Sequence, residues 1–281
     1  MIAWTYDGSI WTNTAEIRRS GCDEVLIRRF EINDGTRDRM DATGIEGCWV
    51  ETRSAADASR AVAVFGERLR GFYLPDEPNN TRNGVFDVAP DEIGRIAGEL
   101  RKGVPGCRLW LNITARMDAD GHVKAFALAG ARTNLVLSAG LYRNCTDDCT
   151  FCNELPDIRA MAGTVKTLAD RHGIRDLGVI AQGFQMVRCD RPKVTAQYLA
   201  DNVLEARKVF GDRHVLTAVY AWKADDGFDG EFLARHSDLW PVLADMKRIL
   251  DKPVVPPPPE VTEMVVKVPK GVKRITLEVE R

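Results

Sequence analysis

Eight short apolar runs alternate with amphipathic segments along most of this 281-residue chain, and this alternation constrains its fold more than any other feature. The predicted strands are residues 2–6, 25–32, 47–51, 71–76, 108–113, 134–139, 177–182 and 216–222. Most of these runs are apolar throughout rather than at alternate positions. That pattern is expected of parallel strands buried on both faces.

The segments between the strands carry helix signals. Ser54 and Asp57 have the spacing of a capping box, and Pro90 stands where the first residue of a helix is expected. The segment 33–46 has poor helical periodicity, which favours a loop there over a covering helix. Eight strands alternating with helices over about 250 residues predict a (β/α)8 TIM barrel. An open doubly wound sheet would usually have fewer strands and a glycine-rich phosphate loop, and this chain has no such loop.

The barrel pattern ends near residue 252. Residues 253–260 then form a proline-rich linker, with four consecutive prolines at 256–259. Residues 261–281 contain two β-like runs, and Ile275, Leu277 and Val279 alternate with polar residues in the second. We therefore predict a barrel domain over 1–252 and a C-terminal β-hairpin tail. Because this tail is too small for a core of its own, we expect it to dock on the barrel, on another subunit of a homo-oligomer or on an assembly partner.

Charge and hydropathy argue against several classes of partner. The 39 Lys and Arg residues nearly balance the 41 Asp and Glu residues, giving a net charge of -2, which does not suit a nucleic-acid binder. No apolar stretch is long enough for a membrane helix, so we expect no membrane partner. The first residues lack a signal-peptide pattern, and the seven cysteines are odd in number. We expect a chain made in the cytoplasm, then either kept there, released or assembled into a particle.

The residues at the predicted strand ends are aromatic, acidic and amide-bearing, and function in a barrel of this kind lies at those ends. Aromatic rings stack on sugar rings, while carboxylates and amides bind hydroxyl groups, so the pattern predicts a carbohydrate-binding cleft. Several of these residues could instead fill the top layer of the barrel, and Arg28 could form an internal salt bridge or bind an anionic sugar. The candidate substrate-binding residues are Trp4, Tyr6, Arg28, Glu31, Trp49, Glu51, Asn112, Tyr142, Gln182, Gln185, Tyr220 and Trp222.

Residues 71–78 read Gly-Phe-Tyr-Leu-Pro-Asp-Glu-Pro, and two adjacent acids followed by proline are poor material for a core. With the strand order and the Tyr-Ala-Trp sequence at 220–222, this motif resembles TIM-barrel glycoside hydrolases. The resemblance is strongest to glycosidase-like proteins whose fourth strand reads Gly-aromatic-Tyr-Leu-x-Asp-Glu-Pro, and it covers residues 1–252. It implies an O-glycosyl hydrolase acting on a polysaccharide or glycan, with Glu77 as general acid and Asp76 assisting or orienting it.

The seventh predicted strand departs from that resemblance. Retaining enzymes of the group place a nucleophilic Glu there, whereas this chain has Gln182, and an amide cannot form the glycosyl-enzyme ester. Another acid could be the partner of Glu77, or an N-acetyl group of the substrate could be the nucleophile. The candidate acids are Glu31, Glu51, Asp76 and Asp225. The third alternative is a barrel that binds carbohydrate without cleaving it, or a structural barrel in a larger assembly such as a phage particle or a surface complex.

Three cysteines, Cys145, Cys149 and Cys152, share one predicted rim loop. Their Cys-x3-Cys-x2-Cys spacing resembles the loop that binds an iron–sulfur cluster in radical S-adenosylmethionine enzymes, and a metal or iron–sulfur enzyme is the third functional hypothesis. Those enzymes carry the loop after the first strand, whereas here it follows the sixth. With Cys189 on the next loop, the thiols could instead hold a structural zinc ion or form disulfides. Apart from this loop, we expect no cofactor.

Overall fold

Eight parallel strands close into a barrel in the computed structural model, which describes residues 1–4, 11, 18–19, 21–82, 84–129, 134–141, 157–182, 196–220 and 240–250. The barrel strands are β1 (Ile2–Trp4), β2 (Glu24–Arg28), β3 (Gly47–Glu51), β4 (Leu69–Tyr73), β7 (Leu109–Ile113), β8 (Leu135–Leu141), β9 (Asp176–Gln182) and β10 (His214–Tyr220). The pairing of Ile2 on β1 with Ala218 on β10 closes the ring. The strands β5 (Thr81–Arg82) and β6 (Val85–Phe86) form a small antiparallel hairpin outside it.

Helices follow the strands and cover the outside of the barrel. They are α1 (Asp34–Thr43), α2 (Ala55–Phe65), α3 (Pro90–Gly103), α4 (Asp120–Leu128), α5 (Ile158–His172), α6 (Ala196–Phe210) and α7 (Trp240–Leu250). Two predicted helix starts are confirmed, since the Ser54 hydroxyl accepts a hydrogen bond from the Asp57 amide at 3.2 Å and Pro90 is the first residue of α3. The predicted (β/α)8 barrel is confirmed as well. Within the described residues, no helix is long and apolar enough to span a membrane.

Helix α1 corrects one prediction, because the segment 33–46 contains a covering helix rather than a loop. Its helical signals lie at its ends and not in its periodicity. The Asn33 side chain caps the first turn by accepting from the Thr36 amide at 2.9 Å, and Gly44 ends the helix in the left-handed conformation, with φ of 68°. Only Thr36 and Met40 are buried, so the apolar face is too narrow to give a clear period.

Alternate residues of the strands point in opposite directions and build two cores. One set fills the inside of the barrel with side chains such as Leu26, Trp110 and Ile180. The other set, with Val25, Ile27 and Phe72 among its members, packs against the helices. Because the interior is filled by side chains, the space that remains for a ligand lies at the carboxyl ends of the strands.

Two strands end earlier than predicted. Strand β2 ends at Arg28 and continues as a 3-10 turn, Arg29–Glu31, while β4 ends at Tyr73. Consequently Glu31, Asp76 and Glu77 lie on the loops that follow the strands rather than on the strands themselves. The predicted linker and hairpin tail, residues 253–281, lie outside the described residues.

The end of α3 packs closely against the start of α2. This contact leads to different predicted effects of alanine on stability at two glycines of α3, Gly103 and Gly98. A Cβ at Gly103 would lie 2.5 Å from the carbonyl oxygen of Ala55, whereas a Cβ at Gly98 would meet no atom within 4 Å. We expect Gly103→Ala to lower the free energy of unfolding by roughly 1–3 kcal/mol. The matched change Gly98→Ala should raise it by roughly 0.5–1 kcal/mol, because alanine favours the helix. Urea denaturation of both variants checks this, and equal effects would contradict the packing of α3 on α2.

Candidate active site

Asp76 and Glu77 lie directly beyond the carboxyl end of β4, on a turn that is attached to the neighbouring strand. The Glu77 amide donates to the carbonyl of Asn112 on β7 at 3.1 Å, and the Asn80 amide donates to the Glu77 carbonyl at 2.9 Å. Asn79, which is fully buried, accepts from the Thr114 amide at 2.9 Å and donates to the Asp118 carboxylate at 3.2 Å. The turn is therefore held against the loop after β7, and the two acids have fixed positions.

The backbone of Glu77 is in the left-handed region, with φ of 41°, and within the described residues it is the only residue other than glycine there. The position is unfavourable twice over, because Pro78 follows and the residue before a proline prefers extended backbone. Such a conformation costs on the order of 1–3 kcal/mol and is found most often at functional sites. The surrounding hydrogen bonds of the turn maintain it and direct the Glu77 side chain.

A chain of hydrogen bonds from the barrel interior ends on Asp76. The Trp110 indole donates to the Ser138 hydroxyl at 2.7 Å, and Ser138 donates to Oδ1 of Asn112 at 2.9 Å. Asn112 then donates through Nδ2 to Oδ1 of Asp76 at 2.8 Å, and the Tyr73 hydroxyl donates to the same oxygen. The indole N–H can only donate, so Ser138 accepts from it, and with the Ser138 hydroxyl donating to Oδ1 of Asn112 the amide nitrogen of Asn112 faces Asp76. Asp76 is the final acceptor, which favours its ionised form.

The environment of Glu77 favours the opposite protonation state. Burial and, second, the negative charge of Asp76 raise the pKa of Glu77, and the bond that Glu77 accepts from Asn80 at 2.9 Å lowers it, so that the pKa is about 7. A carboxyl group with a pKa near neutrality can hold a proton and release it at neutral pH. The pair thus combines a Glu77 that exchanges its proton near neutral pH with an Asp76 whose negative charge raises the pKa of Glu77, two carboxyl groups with different capabilities.

A third acid, Glu51, lies at the end of β3 next to this pair. Burial raises the pKa of Glu51, the guanidinium of Arg28 lowers it, and the charge of Asp76 raises it again. The Nε atom of Arg28 lies 3.7 Å from the Glu51 carboxylate, so the internal salt bridge considered for Arg28 is formed with Glu51. The influence of Asp76 on the pKa values of both Glu51 and Glu77 places the three acids in one electrostatic unit.

Glu31 has a supporting position. Its carboxylate accepts from the backbone amide of Arg28 at 2.9 Å and from the indole of Trp11 at 3.1 Å. Glu31 therefore orders the turn after β2 and the strand end that carries Arg28. In front of that strand end is a cavity of about 400 Å³ lined by Arg28, Arg29, Phe30, Glu51 and Arg53.

Trp49 corrects another prediction, because it does not line a sugar subsite. It is 2% exposed, packs in the barrel interior and donates from its indole to Glu24 at 3.1 Å, at the amino-terminal end of β2. Gly71 makes room for it, since a Cβ there would lie 2.7 Å from the Trp49 ring. An aromatic residue in the middle of a buried strand can face either end of the barrel, and the sequence does not indicate which.

The structure brings together Asp76, Glu77, Arg28, Glu51 and Asn112 from the predicted site. For the other predicted site residues named below, the assignment remains a prediction. Strand positions are described for Trp4, Gln182 and Tyr220, but their side chains lie outside the description, as do Tyr6, Tyr142, Gln185, Trp222 and Asp225. The same is true of Cys145, Cys149, Cys152 and Cys189. In the described ranges, no group of three or more His, Cys, Asp or Glu side chains could hold a metal ion.

Four residues of the site were not predicted: Tyr73, Asn80, Trp110 and Ser138. Tyr73 and Asn80 flank the Asp-Glu pair in sequence, so their closeness to the motif was a usable signal. Trp110 and Ser138 occupy inward positions on β7 and β8, and they matter only because the two strands pair at Trp110↔Val136 and Asn112↔Ser138. That register exists only in the folded barrel, and no sequence pattern indicates it.

Comparison with known proteins shows the fold and not a family. No family model matches the sequence, and no curated protein matches it. Among solved structures the chain is similar to a GH5_18 variant from Streptomyces cattleya in complex with Manβ1-4GlcNAc, at 13% identity and TM-score 0.57, covering 88% of this chain and 76% of that one. It is also similar to a β-mannanase from Streptomyces thermolilacinus with mannohexaose, at 14% identity and TM-score 0.52, covering 82% and 81%.

A third similar structure has a different chemistry. It is a candidate deoxyribose-phosphate aldolase from Toxoplasma gondii, at 10% identity and TM-score 0.50, covering 89% of this chain and 92% of that one. Structural neighbours therefore include TIM-barrel glycoside hydrolases together with an aldolase-like barrel. Since barrels of one shape catalyse many reactions, function has to be argued from the site itself.

The effect of Asp76 on Glu77 allows a prediction of how the pKa of Glu77 changes when the charge of Asp76 is removed. Asp76→Asn keeps an oxygen that accepts from Asn112 and Tyr73 but removes the negative charge, so we expect the pKa of Glu77 to fall below about 7 while burial keeps it above 4.5. NMR titration of the Glu77 carboxyl carbon measures this. Asp91→Asn, a change at an exposed first-turn residue of α3, serves as the control and should leave the pKa of Glu77 unchanged. An unaltered pKa in Asp76→Asn would contradict the coupling of the two acids.

The raised pKa of Glu77 also predicts how stability depends on pH. The unfolded carboxyl loses its proton near pH 4.5 and the folded one near pH 7, so the folded chain loses stability as pH rises between these values. Glu77→Gln removes this penalty. Its free energy of unfolding relative to the parent chain should be higher by about 2 kcal/mol at pH 8 than at pH 5. Urea denaturation at both pH values measures the difference, and the exposed control Glu67→Gln should show none.

Proposed function

We propose that this chain is an O-glycosyl hydrolase acting on a polysaccharide or glycan, with Glu77 as its general acid. The observation that carries the proposal is the pair at the end of β4, in which an ionised Asp76 lies beside a Glu77 whose pKa is raised to about 7. Hydrolysis of a glycosidic bond normally uses two carboxyl groups in different protonation states. Their place, at the carboxyl ends of barrel strands, is where such barrels carry out their chemistry.

In the proposed reaction Glu77 donates its proton to the oxygen of the glycosidic bond as that bond breaks. The sugar ring then carries positive charge at the anomeric carbon, as in the oxocarbenium-like transition state of this reaction class. Tyr73 and Asn112 both donate to Asp76 and hold its carboxylate in place, so that its negative charge can stabilise that transition state. Water then adds to the anomeric carbon and gives up one proton, which the Glu77 carboxylate takes back, so that the hydrolysis is complete and the acid is restored.

Asp76 has a second effect in this scheme, because it is one of the causes of the raised pKa of Glu77. A general acid is most effective when its pKa is near the working pH, since it must hold the proton before the transition state and give it up there. The fixed backbone of Glu77 adds positioning, because the turn presents the carboxyl group without further rearrangement.

A carbohydrate substrate is supported by the residue types at the site and by the two similar structures that contain carbohydrate ligands. The complexes with Manβ1-4GlcNAc and with mannohexaose belong to those proteins, and at 13% and 14% identity they support the class of ligand only. The exposed Phe30, which shares a cavity with Glu51, offers an aromatic face of the kind that stacks on sugar rings.

A barrel that binds carbohydrate without cleaving it is the second candidate function. It is favoured by one observation: β9, the seventh strand of the barrel, ends in Gln182 rather than in an acid. In that case Asp76 and Glu77 would bind sugar hydroxyls, and replacing Glu77 would weaken binding without affecting any hydrolysis.

Replacement of Glu77 distinguishes the two functions. If the chain releases new reducing ends from soluble polysaccharides such as β-mannan, we expect Glu77→Gln to lower kcat by roughly 10²–10⁴-fold, because the amide cannot donate a proton as the acid does. The matched control Glu67→Gln, at an exposed residue after α2, should keep the parent rate. A Glu77→Gln variant that hydrolyses a confirmed substrate at the parent rate would show that Glu77 is not the acid.

A further inference from the structure

The cavity in front of the end of β2 is rich in arginine, because three of the five described residues that line it are Arg28, Arg29 and Arg53. The other two described lining residues are Glu51 and Phe30. Among these described residues, three guanidinium groups face one carboxylate, in a chain whose net charge is -2. A concave site with excess positive charge attracts anionic ligands.

Among the described residues, the acids that these arginines influence are Glu51 and, for Arg53, also Glu92. Arg28 has Glu51 as its ion-pair partner at 3.7 Å. Across the described ranges neither Arg29 nor Arg53 forms an ion pair, although both are close enough to lower the pKa of Glu51. The nearby carboxylate of Glu31 is occupied by the Arg28 amide and the Trp11 indole. Two exposed arginines therefore face the cavity with donors available for a ligand.

The third kind of group among the described lining residues of the cavity is an aromatic ring. Phe30 is 69% exposed, which is a high value for a large apolar side chain, and it lines the same space as the arginines. Exposure of an aromatic ring to water is unfavourable in free energy, but the exposed ring supplies a face on which a sugar ring can stack. Guanidinium groups and an aromatic face together match a ligand that has both an anionic group and a ring.

The position of the cavity relates it to the proposed reaction. Arg28 is on β2, Glu51 on β3 and the turn of Asp76 and Glu77 follows β4, so the arginines lie about two strand spacings, or roughly 10 Å, from the acids. Glu51 belongs to both places, since it lines the cavity and Asp76 raises its pKa. A glycan that crosses the acids would thus extend a neighbouring sugar unit into the cavity.

We propose that this cavity is a subsite for an acidic sugar unit, whose carboxylate or sulfate group binds the guanidinium groups of Arg28, Arg29 and Arg53 while its ring stacks on Phe30. The proposal rests on the proposed function, and it narrows the substrate class from glycans in general to anionic glycans. The planar guanidinium group matches the two oxygens of a carboxylate or sulfate with paired hydrogen bonds, which an ammonium group or an amide cannot do. A neutral sugar would make no use of this excess charge.

Direct binding to the full chain tests the subsite. The Glu77→Gln variant, in which we expect hydrolysis to be strongly slowed, is titrated with glucuronate, galacturonate and glucose 6-sulfate, with glucose as the neutral reference, and binding is followed by NMR. We expect at least one anionic sugar to bind more tightly than glucose and to bind less tightly as salt is added. The relative affinity of the carboxylate and sulfate sugars then identifies the anionic group. Equal affinity of all three anionic sugars and glucose would overturn the proposal.

A pair of arginine variants provides the matched control. Arg53→Gln should weaken binding of the anionic sugar about tenfold, the loss expected for a hydrogen bond to a charged group, and should leave glucose unaffected. Arg95→Gln, at an exposed arginine of α3 that pairs with Glu92, should change neither. If both variants weaken the anionic sugar equally, the cavity is not the site.

The test of the subsite can fail while the proposed hydrolase function holds, and the reverse is also possible. Hydrolysis of a neutral polysaccharide by the parent chain, without Arg53-dependent binding of anions, would overturn the subsite and keep the hydrolase. Arg53-dependent binding in a chain that hydrolyses no anionic or neutral glycan would support the subsite and overturn the hydrolase.

Discussion

The candidate site depends on one indole N–H group inside the barrel. Trp110 can only donate, so Ser138 accepts from it; Ser138 donates to Oδ1 of Asn112, and the Asn112 amide nitrogen donates to Asp76. The chain of bonds crosses from β7 to β8 and back, which is possible because the closed barrel holds those strands in register. Asp76 accepts through Oδ1 from Asn112 and Tyr73, and its negative charge contributes to the raised pKa of Glu77.

Negative and positive charges then follow one another along the rim of the barrel. The fixed negative charge of Asp76 raises the pKa of Glu77 on one side and that of Glu51 on the other. Beyond Glu51, Arg28 and its arginine neighbours supply positive charge around the cavity. A glycan with an acidic unit would encounter a positive subsite and a proton donor in sequence, so the same charge pattern serves binding and chemistry.

The sequence predicted the barrel well because closure of eight parallel strands requires continuous apolar runs, and these are visible in one dimension. It also indicated that Asp76 and Glu77 lie at the end of the fourth strand rather than in a core, because two adjacent acids before a proline are poor material for a core. Helix α1 was missed because its caps, Asn33 and Gly44, carry the signal that its narrow apolar face lacks. Trp49 was misplaced because its direction depends on the space left by Gly71, a contact between strands that only the folded chain forms.

The central claim is that Glu77 holds a proton beside an ionised Asp76, and neutron diffraction of a deuterated crystal near pH 6 tests it most directly. Below the pKa of about 7, the account predicts a deuteron on the Glu77 carboxyl group. It also predicts none on Asp76, whose Oδ1 accepts from Asn112 and Tyr73. A deuteron on Asp76 with Glu77 ionised would contradict the account, since the proton donor would then be the other acid.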